Sequence, residues 1–165
     1  MHPGAILVGR PGRTIYITVP KKQEISQIAA STGWVVATWK SKEGSPVSLA
    51  YDSSRDRLVV GTRNPAEVEV FDARSHRWIA SLPSVGLMDG LFYDAAHRRI
   101  YASGGDGKVA VYQQKSPDRY EELAEVSTGP NGRTSLWVER LNRYFVAIPA
   151  GADQAAELLA FEPSP

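Results

Sequence analysis

"LFYDAAHRRIYASGGDGKVAVYQQ", residues 91–114, holds three apolar runs separated by two polar turns. Runs of this length, rich in Val, Ile, Tyr and Phe and bounded by Asp, Gly and Ser, read as strands joined by hairpins. A near copy stands upstream, "LAYDSSRDRLVVGTRNPAEVEVFD" at 49–72. The duplication makes the search for a repeat period the deciding step.

The period is close to 43 residues. "IYITVP" from Ile15, "LVVGTR" from Leu58, "IYASGG" from Ile100 and "YFVAIP" from Tyr144 begin 43, 42 and 44 residues apart. A second register links "VVATW" from Val35 to "WIASL" from Trp78, and a third links Pro3 to Pro46, each 43 apart. Each period divides into four strands. The first gives 5–8, 15–19, 25–29 and 35–39; the second gives 47–51, 58–62, 67–71 and 78–82; the third gives 90–93, 100–104, 108–112 and 122–127. The fourth gives 134–138, 144–148 and 157–161 and then reaches "EPSP".

Four antiparallel strands per period of about 40 to 45 residues is the pattern of propeller blades, whose sheets bury their faces on one another. The expected fold is therefore all-β: a β-propeller of about four blades and fifteen strands, the last blade lacking its outer strand. The blades span approximately 3–44, 45–87, 88–131 and 132–165, in one domain. The first two strands of a period are nearly continuous apolar runs, expected where both faces are covered, whereas "EVEVF" and "ELAEVS" alternate like strands near the rim. A two-sheet sandwich is the competing architecture, and the strict period speaks against it.

At 165 residues the chain can bury roughly two thirds of its unfolded surface in a core. Lys plus Arg number 19 against 18 Asp plus Glu, interspersed, which leaves no basic footprint for nucleic acid or an anionic membrane. The absence of cysteine removes disulfides, thiolate catalysis and Cys-ligated metals. "MHPGAILVGRPG" lacks the basic start and long apolar core of a signal peptide, and no stretch reaches the roughly 18 apolar residues of a membrane span.

Binding residues of a propeller concentrate on the loops at one face, around the mouth of the channel. Between the fourth strand of one blade and the first of the next lie His2, Ser45, Asp89 and Arg133; between second and third strands lie Lys21, Lys22, Arg63, Asn64 and Asp106. His2, Arg63, Asp89, Asp106 and Arg133 form the candidate ligand-binding set, a mixed-sign ring suited to a small polar ligand or an extended peptide. Asp89 and Arg133 occupy equivalent positions with opposite charge.

No catalytic residue, metal ligand set or cofactor motif is assigned. Three scattered histidines, two of them (His76 and His97) in turns, do not make a metal site. "SGGDG" at 103–107 lies between two strands with no following helix, so it reads as a hairpin turn and not a phosphate loop. Asp52, Asp72 and Asp94 each follow an aromatic residue at a strand end, where a carboxylate accepts turn amides. Trp34, Trp39, Trp78 and Trp137 are expected to pack between blades.

"VEVFDARSHRWIASLP" at 68–83, with strands ending in "YD" and turning into "RLVVGT" or "RIYASG", resembles the YVTN-type repeat of bacterial seven-bladed propellers. "TGPNGRTSLWVERLNR" at 128–143 followed by "YFVAIPAGADQAAELLAFEP" is similar to the carboxyl-terminal blade of an extracytoplasmic branch of that family. The resemblance covers essentially the whole chain and specifies fold, not activity. It implies the carboxyl-terminal half of a seven-bladed parent, periplasmic or secreted, whose last blade is completed by a strand from the parent's start.

Two blade faces and one strand edge, at Phe161, are then left open, and such surfaces drive association. The expected partner is a second copy in a homodimer, or a missing propeller half; closure of the chain on itself as a four-bladed ring is the alternative, and a fragment with no independent role is the plain one. The functional expectation is a non-catalytic binding scaffold. A remote lactonase-like or hydrolase-like propeller enzyme, with polar groups at the mouth activating water or polarising a carbonyl, is the alternative.

Overall fold

A computed structural model describes residues 2–152 and 154–164. Fifteen strands run in chain order: β1 (Ile6–Gly9), β2 (Thr14–Val19), β3 (Glu24–Ala29), β4 (Val35–Lys40), β5 (Ser45–Asp52), β6 (Arg57–Arg63), β7 (Glu67–Asp72), β8 (Trp78–Pro83), β9 (Met88–Asp94), β10 (Arg99–Gly104), β11 (Lys108–Ser116), β12 (Arg119–Ser127), β13 (Thr134–Val138), β14 (Arg143–Ile148) and β15 (Glu157–Phe161). They form three four-stranded sheets, β1 to β4, β5 to β8 and β9 to β12, and one three-stranded sheet, β13 to β15. Every pairing is antiparallel and joins strands consecutive in sequence. These are propeller blades, about four in number, and the fourth has three strands.

The chain divides into two compact units, residues 1–83 and 84–165, each holding two sheets. In the first unit Tyr16 and Ile25 of one sheet pack on Leu49, Leu58, Val60 and Phe71 of the next. In the second unit Tyr101 and Val109 pack on Tyr144, Val146 and Ile148. Side chains alternate across a strand, so each sheet sends one set of residues to its neighbour and the other set to the opposite face.

The turn between a blade's first two strands repeats in chemistry as well as in sequence. Asp52 Oδ1 accepts from the Ser54 amide, and Asp94 Oδ1 accepts from the amides of Ala96 and His97. In three of the four blades the last turn residue is left-handed: Asp56 (φ 53°), Arg98 (φ 54°) and Asn142 (φ 49°). Asp72, in a turn between third and fourth strands, accepts from the amides of Arg74 and Ser75. Those bonds, the Ser75 amide foremost, hold its carboxyl below the usual range.

Two expectations need correction. "EVEVF" lies third in its sheet, nearer the rim as expected, but it has no wet face: Val68, Glu69, Val70 and Phe71 are all buried in β7. Alternation of Glu and Val suggests one wet face, but the Glu69 carboxylate turns inward and accepts from the amides of Lys42 and Glu43, at 3.0 and 3.1 Å. It thereby fastens the loop between the first two sheets. Nor do all four tryptophans pack between blades. Trp39 stacks on His76 at 4.3 Å and meets Tyr16 edge-on, and Trp137 lies 5.3 Å from Tyr101. Trp34 is 75% exposed, and Trp78 lies at the surface with the Lys42 ammonium 5.6 Å from its ring centre.

Burial pushes the Glu69 carboxyl above the usual 4.5, the two loop amides opposing that shift. A raised carboxyl holds its proton to higher pH in the folded chain than in the unfolded one, so its contribution falls as pH rises from 4.5 through the raised folded value. Glu69→Gln removes this dependence and sets an amide NH2 against one of the donors, an expected cost of about 1–3 kcal/mol above that window. Urea midpoints of both proteins between pH 4 and pH 8 check it; parallel curves refute the assignment.

Candidate functional site

Three loops meet at one end of the second unit. They are residues 84–87 before β9, 105–107 between β10 and β11, and 128–133 before β13. Main-chain bonds lace them: Gly105 N to Leu87 O (3.2 Å), Asn131 N to Gly105 O (3.1 Å) and Thr128 N to Gly107 O (2.8 Å). "SGGDG" is a hairpin turn with Gly107 at φ 84°. Asp106 Oδ2 accepts from the Gly86 amide at 2.7 Å, so that carboxylate ties two loops together.

Asp89 and Arg133 come within 3.9 Å of each other, both side chains about half exposed. An ion pair so open to water contributes at most about 1 kcal/mol. Arg133→Gln is therefore expected to leave the thermal midpoint nearly unchanged, a shift of several degrees being the contrary result. Leu87 stands beside the pair, left-handed at φ 51° and 55% exposed.

The structure thus brings together three of the five candidate ligand residues, Asp89, Asp106 and Arg133. His2 and Arg63 belong to the first unit: His2 is exposed ahead of β1, and Arg63 is half-buried at the end of β6, in register with Ser45. Lys21 and Lys22 lie exposed in the 3-10 turn Pro20–Lys22, and Asn64 is left-handed before Pro65. Among the described residues no cluster of three His, Asp or Glu side chains is placed to hold a metal ion.

Periodicity did not reveal the buried polar chain between β9, β10, β13 and β14. Ser103 Oγ donates to Arg133 O at 2.8 Å, Ser103 and Ser135 hydroxyls lie 2.7 Å apart, and Tyr144 OH donates to Ser135 Oγ at 2.8 Å. Burial raises the Tyr144 phenol above its ordinary 10.0, and the two serine hydroxyls oppose that shift. A second network joins Asp94 to His97 Nδ1 (2.7 Å) and the Tyr101 hydroxyl (3.0 Å). Both knit strands and turns together.

Other open surfaces are apolar. A groove of about 380 Å³ runs between Leu123, Ala124 and Val126 of β12 and the edge of β15, floored by Tyr101 and Tyr144. The outward face of the fourth sheet carries Leu136, Val138, Phe145, Ala147 and Leu158. In the first sheet the register Ile6 to Ile17, Val8 to Ile15, Ile15 to Ile28 and Ile28 to Val35 lines these residues on the face away from Tyr16. Ile6 is 70% exposed and Leu158 68%.

No family model matches the sequence, and no curated protein matches it. Solved structures do match in fold. Hydrazine synthase of Kuenenia stuttgartiensis superposes with a TM-score of 0.79 at 14% identity, over 95% of this chain and 45% of that one. A chain of the mitotic checkpoint complex gives 0.79 at 9% identity, over 98% and 50%. A 6-phosphogluconolactonase of Bacteroides uniformis, so described provisionally, gives 0.77 at 12% identity, over 88% and 47%. The chain spans about half the length of each. Identities this low carry the fold alone: the chain is built as β-propeller blades.

Proposed function

We propose that this chain is a non-catalytic propeller scaffold of the YVTN-repeat kind, which works by binding through its end blades. The observation that carries the reading is the apolar face left uncovered on the first sheet and again on the fourth. Exposed apolar surface of that continuity marks an interaction site. The loop end bearing Asp89, Asp106 and Arg133 supplies a second, polar surface suited to a small polar ligand or a peptide.

A chain stabilised by association melts at a temperature that rises with its concentration. The thermal midpoint is expected to climb across a dilution series from micromolar to hundreds of micromolar. A midpoint independent of concentration, with no added partner able to raise it, contradicts the reading.

The half-exposed Asp89–Arg133 pair and the lactonase among the structural neighbours favour one alternative, a lactone-hydrolysing enzyme. In that reading Asp89 activates water and Arg133 polarises the carbonyl. Turnover of 6-phosphogluconolactone that Asp89→Ala abolishes is the result that would select it.

A further inference from the structure

The two open faces are of opposite kinds, and within each unit the chain already joins those kinds. In the first unit Tyr16 of β2 reaches the next sheet at Tyr51 of β5, ring centres 6.1 Å apart. In the second unit Tyr101 of β10 reaches the next sheet at Trp137 of β13, at 5.3 Å. Tyr16 and Tyr101 hold one repeat position; Tyr51 and Trp137 hold another. The fourth sheet presents the first position at Phe145, and the first sheet presents the second at Val8.

The register confirms the equivalence. Trp137 pairs with Tyr144, Tyr51 with Leu58 and Val8 with Ile15, always a first strand against a second. Val8 is 63% exposed, and Phe145 lines the open face of the fourth sheet. Each face lacks the neighbour that its repeat position meets inside a unit.

We infer that a second copy of this chain covers these faces head to tail, the fourth sheet of one copy packing on the first sheet of the other with Phe145 against Val8. The inference rests on the scaffold reading and names its partner. It continues an interface the chain makes within each unit, and both contributing surfaces are on one polypeptide. Because the surfaces differ, the contact is heterologous, and a ring results where two such contacts close.

The chain has no cysteine, so single introduced thiols report the contact without background. Val8→Cys and Phe145→Cys chains are mixed under mild oxidation and resolved without reductant. The expected result is a disulfide joining one variant to the other, with little homodimer from either alone. Ile15→Asp, on the same open face, should abolish both that product and the association of the otherwise native chain.

A disulfide joining two Phe145→Cys chains, or two Val8→Cys chains, as the main product overturns the head-to-tail contact, since like faces would then meet. Concentration-dependent association that survives Ile15→Asp, with no mixed disulfide, also overturns it while leaving a binding scaffold in place. A chain that neither associates nor cross-links overturns the second copy as partner; only a midpoint that no partner raises brings down the scaffold reading as well.

Discussion

Gly90→Ala is expected to unfold the second unit at temperatures where the native chain is intact. A Cβ at Gly90 would sit 1.9 Å from Ser135 Oγ and 2.4 Å from Ser103 Oγ, with Arg133 O at 3.2 Å. Contacts that short do not survive, so β9 and β13 must separate or both serine hydroxyls must turn away. Overpacking alone costs typically 1–3 kcal/mol. Here it also breaks the chain of bonds from Tyr144 through Ser135 and Ser103 to Arg133 O, and it strains the bond from Gly90 N to Arg133 O.

The expected total is on the order of 4 kcal/mol, each buried group left unpaired adding about 1–3 kcal/mol to the steric cost. The denaturant midpoint of the second unit reads it directly, because two compact units permit separate transitions. Gly12→Ala is the control for a glycine change: nothing lies within 4 Å of a Cβ there, and only its left-handed φ of 71° opposes the substitution. A Gly90→Ala chain as stable as that control would show that the two first strands do not approach as described.

The strands were legible because each carries its own signal. Apolar runs or apolar–polar alternation over four to six residues mark all fifteen, and the period sorts them into sheets. The turn carboxylates were legible too, since an Asp beside its own turn amides needs no distant partner. Contacts between sheets were not. A period of two assigns residues to two faces and says nothing of what lies on either, so the alternation in "EVEVF" does not show that two loop amides wait for Glu69.

The same gap explains Trp34 and Trp78. Large aromatic residues near strand ends suit a covered face, and only the positions of neighbouring sheets show that Trp39 and Trp137 have one. The candidate ligand residues divide in the same way. Equivalent repeat positions predict that Asp89 and Arg133 share an end of their blades, and their sheets being neighbours brings them to 3.9 Å. His2 and Arg63 share the repeat logic but stand in the other compact unit.

Asp94→Ala is the second large expected effect, and it separates a structural network from a dyad that could act on a substrate. Asp94 is fully buried and accepts four bonds: two from turn amides on Oδ1, and two on Oδ2, from His97 Nδ1 and the Tyr101 hydroxyl. Removing the acceptor leaves the buried phenol and the turn amides unpaired, an expected loss of about 3 kcal/mol or more. Asp94→Asn keeps an oxygen for the turn and loses the negative charge beside Tyr101, so it should fall between. Tyr101 gives a readout that stability alone does not. Burial is the first cause that pushes its phenol far above the ordinary 10.0, and the Asp94 charge is the next. Without that charge the phenol should ionise at lower pH, while burial still holds it above 10.0. Ultraviolet titration of folded Asp94→Asn checks the sign: one tyrosine of the seven moves toward the ordinary range. If none moves, Asp94 and Tyr101 are not paired in solution, and the network does not hold the turn to β10 as described.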